Sequence, residues 1–224
     1  MRVVITFLAL CMALSAKGQF AIVADKDGFV NVRRENNIAD NIVDTLKNGH
    51  LIYCFEEVNN WTNIDFDRGN GFIYKDRYKL ISTFDEIPIE EQKGTSITLH
   101  KDNLKIAIAT SKFDKTKHKL KFVKDENKWI ELIDNKKYWG TDGEIPEFEY
   151  RSIEINIRQK RLMLPKSATE DLFQPNLKNT KANYDNQTDT LYIHSINSDG
   201  AGGYLVIWKI TNGEYRERYV AYGF

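Results

Sequence analysis

GFVNVRRENNIADNIVDTLKNGHLIYCFEEVNNWTNIDFDRGNGFIYKDRYKL, residues 28–80, is the stretch from which the fold is read. Phe29, Val30 and Val32 start a strand, and the polar run from Arg33 to Asp40 is an exposed loop. Ile42, Val43 and Leu46 follow, closed by the turn residues Lys47-Asn48-Gly49. Leu51 to Phe55 is a strong apolar strand, and Trp61 to Phe66 alternates with period two. Asp67 to Gly71 supplies a hairpin tip, from which Phe72-Ile73-Tyr74 returns. Short strands with turn signals at this spacing predict a small β-barrel.

Working outward, the 224-residue chain has room for two modest domains or one large β-domain. Its 42% hydrophobic and 29% charged residues are an ordinary folded composition. Zero formal charge removes the electrostatic term that dominates nucleic-acid binding. The local basic run from Lys112 to Lys124 is diluted by the acidic residues after it, so no nucleic-acid partner is expected.

The first 18 residues read as a secretory signal peptide. Arg2 precedes an apolar run from Val3 to Leu14, and Ser15-Ala16-Lys17-Gly18 places small residues before a cut after Gly18. A membrane helix needs about 20 apolar residues, so this run predicts export rather than a transmembrane segment. A lipoprotein reading would anchor the chain through Cys11, but Leu10 is bulky where a small residue is wanted, and the apolar run continues past Cys11. The expected location is therefore secreted or periplasmic. With Cys11 removed, Cys54 is the one remaining thiol and no internal disulfide is available.

Residues 20–83 resemble the bacterial SH3-like domain. The resemblance rests on Asn31-Val32-Arg33, Ile42-Val43-Asp44-Thr45-Leu46, Lys47-Asn48-Gly49, Trp61, Gly71-Phe72-Ile73 and Tyr78-Lys79-Leu80, in that order. Two positions depart from it. Arg34-Glu35-Asn36-Asn37 stands where small residues and proline are usual, and Phe72 stands where a tryptophan follows the late glycine. The resemblance implies the barrel fold, but because the first departure borders the groove of such barrels, the family's ligand is not carried over. Barrel topology by itself places Arg33, Asn36, Trp61, Tyr74 and Tyr78 around an aromatic and polar groove suited to short peptides or glycans.

Residues 84–96, with Pro88, a cluster of glutamates and Gly94, read as a linker. Residues 97–224 read as a second β-rich domain. Leu104 to Ala109 is apolar, and Lys119 to Val123 with Lys128 to Ile133 forms a hairpin. Residues 153–157 alternate as a half-buried strand, and residues 190–196, 204–210 and 215–222 form an antiparallel meander. Ser167-Ala168-Thr169-Glu170 matches a capping box, predicting one short helix with Leu172 and Phe173 inward and Pro175 near its end.

Two loops in this half are candidate partner contacts. Asn197-Ser198-Asp199-Gly200-Ala201-Gly202-Gly203 lies between strong strands and lacks the features of a phosphate loop or an EF-hand. Trp139-Gly140-Thr141-Asp142-Gly143 sets an aromatic ring beside a carboxylate. Trp139, Asp142, Asp199 and Tyr204 are the expected partner-binding residues, with Trp139 also readable as core. Cys54 sits mid-strand, where a barrel wants an apolar side chain, so it is expected to be structural rather than nucleophilic. His50, His100, His118 and His194 are scattered without zinc-site spacing, and no glycine-flanked serine turn occurs. No catalytic residue, metal or cofactor is therefore assigned. The sequence predicts a non-catalytic binding protein of the cell envelope, whose partner is a wall glycan, a peptide or an envelope protein. The alternative is an inhibitor or immunity-type protein whose second domain blocks an enzyme with the 197–203 loop.

Overall fold

The computed structural model describes residues 18–124 and 126–222, apart from the side chains of residues 126 and 127. The expected signal peptide and Cys11 lie outside the described residues, except for Gly18. The protein is mainly β, built from antiparallel sheets. No helix among the described residues is long and apolar enough to cross a membrane.

The first sheet comprises β1 (Gln19–Val23), β2 (Phe29–Arg33), β3 (Ile42–Lys47), β4 (Leu51–Val58), β5 (Trp61–Phe66), β6 (Gly69–Tyr74) and β7 (Tyr78–Leu80). Its order is β3-β2-β6-β5-β4-β1-β7. The period-two pattern of β2, β5 and β6 sends Val30, Val32, Ile64, Phe66 and Ile73 to one face, where they join Ala21, Val23, Leu46, Ile52 and Cys54 in a shared core. The sheet thus curls around its own side chains. At Gly71 a Cβ would lie 2.6 Å from the Arg33 carbonyl oxygen, so only glycine lets β6 approach β2 this closely.

The expected barrel does not close. The ladder stops at β3 on one side and at the three-residue β7 on the other. Beside the β7 edge the sheet docks on a second sheet instead, with β1 and β4 buried on both faces. Ala21, Val23, Ile52 and Cys54 face the curl, while Phe20, Ile22, Leu51 and Tyr53 pack against a second sheet.

The rest of the chain forms a sandwich with an attached hairpin. Its strands are β8 (Asp85–Glu86), β9 (Ile89–Lys93), β10 (Ser96–Lys101), β11 (Leu104–Lys112), β12 (Leu120–Val123), β13 (Glu126–Ile133), β14 (Phe148–Ile157), β15 (Lys160–Met163), β16 (Thr180–Asp185), β17 (Thr190–Asn197), β18 (Tyr204–Thr211) and β19 (Glu214–Ala221). The outer sheet is β15-β14-β11-β10-β9, the middle sheet is β19-β18-β17-β16-β8, and β12-β13 stands as a separate hairpin. Ile97, Leu99, Ile106, Ile108, Ile153 and Ile155 of the outer sheet meet Ile193, Val206, Trp208 and Ile210 of the middle sheet. The middle sheet's other face carries Tyr192, Leu205, Ile207 and Tyr219 against the first sheet. Three layers are stacked, and the middle one is buried on both sides.

The stretch 84–96 is therefore not a loose linker. Asp85–Glu86 pairs with β16, Ile87 is buried in the sandwich core, and Ile89–Lys93 pairs with β10. Both strands lie at sheet edges, where polar and charged side chains are tolerated and the apolar signal is lost.

The predicted helix is also absent. Lys166–Ala168 forms a single 3-10 turn capped at Pro165. The Glu170 carboxylate pairs with Lys136 instead of returning to Ser167. The backbone that would extend the helix is instead committed elsewhere, with the Phe173 amide donating to the Trp139 carbonyl (3.0 Å) and the Gln174 amide to the Phe148 carbonyl (2.9 Å). Leu172 and Phe173 do pack inward, as the sequence predicts.

Candidate functional site: a groove on the first sheet

The outward phase of β2 carries Phe29, Asn31 and Arg33, and β5 and β6 place Trp61 opposite Tyr74. These two rings meet edge to face at 5.5 Å. Arg33 Nη1 donates to the Ala39 carbonyl at 2.6 Å, folding the loop after β2 back over the sheet. Asn37 organises that loop: its Oδ1 accepts from the Ala39 amide (2.9 Å) and from Asn41 Nδ2 (2.8 Å). Ile38 is thereby held at the rim, 85% exposed, and Phe29 is 45% exposed across from it.

The resulting open groove has a volume of about 430 Å³. Arg33, Ile38, Trp61 and Tyr74 line it together with Phe29 and the Asp25–Arg77 pair. The Asp25 carboxylate accepts from the Asp27 amide at 2.7 Å and pairs with Arg77. The Asp27 amide, followed by Arg77, holds its carboxyl below the usual carboxylate range. Asn48 locks the same turn by accepting from the Asp25 amide (2.8 Å) and donating to its carbonyl (2.7 Å). An apolar rim over a fixed ion pair suits a ligand with a flat apolar or sugar face beside a polar group.

Of the five ligand residues expected from sequence, Arg33, Trp61 and Tyr74 come together here. Asn36 is exposed on the loop but does not line the groove. Tyr78 is elsewhere, because β7 pairs with β1 at the far edge of the sheet. Its hydroxyl donates to Glu57 (3.0 Å) and accepts from Thr62 (3.2 Å), and burial pushes the phenol up to about 12. Phe29, Ile38 and Arg77 also line the groove and are not among the residues expected from sequence. Phe29 was legible, since it alternates with buried Val30 and Val32. Arg77 was not, because its partner lies 52 residues away in sequence.

The two candidate partner loops lie side by side. Ser198 Oγ donates to the Gly140 carbonyl at 2.7 Å, and a Cβ at Gly202 would lie 2.9 Å from Thr141 Cα. Asp142 and Asp199 are exposed. Trp139 is partly buried, 4.5 Å from the Tyr222 ring and packed on the sandwich core. Tyr204 cannot touch a partner. It is fully buried, with its hydroxyl donating to the Phe173 carbonyl at 2.9 Å, because its phase along β18 points into the sandwich.

Cys54 lies in the first core with its thiol pushed up to about 12 by burial, which suppresses the thiolate. The histidines have separate partners: His50 with Asp67, His100 with Glu90, His118 between Asp134 and Glu149, and His194 with Asn183. Among the described residues no group of three or more His, Cys, Asp or Glu is arranged to hold a metal ion. Comparison with protein-family models, with curated proteins and with solved structures finds no match to this chain.

Proposed function

We propose that this protein is a non-catalytic binding protein of the bacterial cell envelope, exported from the cytoplasm, that grips a wall glycan or peptide in the groove of its first sheet. The observation that carries the proposal is the convergence of Arg33, Trp61 and Tyr74 with exposed Phe29 and Ile38 on one open surface. The leader-like residues 1–18 and the resemblance of residues 20–83 to bacterial SH3-like domains support the same reading. Trp61 and Tyr74 offer stacking faces, and Arg33 offers a donor to a carboxylate or hydroxyl.

Co-sedimentation of the whole protein with purified cell-wall sacculi tests this directly. Trp61→Ala combined with Tyr74→Ala should lower binding at least about tenfold, the scale of losing an aromatic anchor. Asp199→Lys should leave binding unchanged. No pelleting by the wild type overturns the wall-binding proposal.

The second reading, an inhibitor acting through the loops at 139–143 and 197–203, is favoured by their direct contact and by exposed Asp142 and Asp199. It predicts a stoichiometric enzyme complex that Asp199→Lys abolishes and the groove variants leave intact.

A further inference from the structure

The middle sheet turns one face toward the first sheet. Cross-strand pairing places Lys181, His194 and Ile207 side by side on that face, with Asn183 opposite Tyr192 and Ile196 opposite Leu205. The first sheet covers Tyr192, Leu205 and Ile207 but leaves Ile196 48% exposed. At this uncovered corner lies a cavity of about 290 Å³. His194, Leu205, Phe20, Tyr53 and Ile81 line it, with exposed Ile196 at its mouth. Lys181 and Glu86 stand at its rim.

The hydrogen bonds around His194 determine what this cavity offers a ligand. Asn183 Nδ2 donates to the Phe84 carbonyl at 3.1 Å, so the amide oxygen faces His194 Nε2 at 3.2 Å. Nε2 therefore carries the proton, and Nδ1 presents a lone pair. Burial, with Lys181 adding to it, holds the imidazole down to about 4, so the ring is neutral near neutral pH. Nδ1 has no protein partner among the described residues. An acceptor beside apolar walls favours a ligand that brings a donor. One cation and one anion at the rim leave no net charge to attract an ionic ligand.

We infer that this corner binds a neutral small molecule with an apolar body and one hydroxyl donor, a phenol or a medium-chain alcohol. The hydroxyl donates to His194 Nδ1 while the body lies among Phe20, Tyr53, Ile81 and Leu205. The site is separate from the groove of the first sheet, and its occupancy does not depend on that groove's ligand.

Titrating the whole protein near neutral pH with 4-ethylphenol and with ethylbenzene, followed by NMR, tests the inference. The phenol should bind about tenfold more tightly than its hydroxyl-free analogue, one hydrogen bond's worth of affinity. His194→Phe keeps a ring but removes the acceptor, and should abolish the preference. Ile196→Trp fills the mouth from an exposed position, and should abolish binding of both probes without changing the melting temperature. It therefore tests the site even where His194→Phe disturbs the fold. Absence of binding, equal binding of the two probes, a preference that survives His194→Phe, or binding that survives Ile196→Trp would each overturn the assignment.

Discussion

The first sheet and the middle sheet are both antiparallel and similar in strand length, yet they read differently in sequence. In Trp61–Phe66 every second residue is buried, because most of the first sheet has its core on one face only. In Tyr204–Trp208 five consecutive residues are buried, because β18 is covered by the outer sheet on one side and by the first sheet on the other. Alternation therefore reports one buried face, and a continuous apolar run reports two. The same logic explains β1 and β4, whose unbroken apolar runs mark where the first sheet docks. Where the first sheet is left uncovered, on the outer face of β2, β5 and β6, the groove opens.

The largest test of this contrast is at the centre of the middle sheet. Trp208 is fully buried and its indole N–H donates to the Ala168 carbonyl at 2.8 Å. Trp208→Ala should cost about 3–5 kcal/mol by urea denaturation, since it opens a cavity in the core, while Arg218 Nη1 still donates to the Ala168 carbonyl at 3.0 Å. At the seam, Ile207→Ala should cost about 2–4 kcal/mol. Unfolding followed by tryptophan fluorescence and by far-ultraviolet circular dichroism should still coincide, because the seam joins the layers into one cooperative unit. Two separated transitions would instead show that the first sheet folds by itself.

A smaller effect is expected from pH. The unfolded His194 imidazole takes up a proton below about 6.5, whereas the folded one resists it until about 4. The folded state is therefore favoured by this group above about pH 6.5, and loses that advantage as the pH falls toward 4. His194→Gln should flatten that part of the stability profile, read as urea midpoints at about pH 7 and about pH 5. Smallest of all, Phe29→Ser on the exposed groove face should change stability by less than about 0.5 kcal/mol, while weakening sacculus binding. A large loss of stability would place Phe29 in a core and remove it from the groove.

Much of the strand pattern was legible because it is carried by local chemistry. The turn at Asn212-Gly213, with both residues at positive φ, follows from side-chain preference and closes the expected β18–β19 hairpin. β8, β9 and β16 were not legible. The first two are polar edge strands, and β16 reads Thr-Lys-Ala-Asn-Tyr-Asp, in which Asn183 is buried through hydrogen bonds to Phe84 and His194 rather than through hydrophobicity. The capping box was misleading for a related reason. Its local signal was outcompeted by backbone bonds from residues 139 and 148, which no window around residue 167 contains.

The sequence by itself determined a mainly β protein, the phase of its strands, and the polar loop beside an aromatic hairpin that became the groove. Only the tertiary structure decided that the first sheet stays open, that it docks on a sandwich through Phe20, Ile22, Leu51 and Tyr53, and that Tyr204 is core. The division has a physical origin. Periodicity and turn preference act between neighbours along the chain, whereas the choice of which buried face meets which is made by packing between residues more than a hundred positions apart.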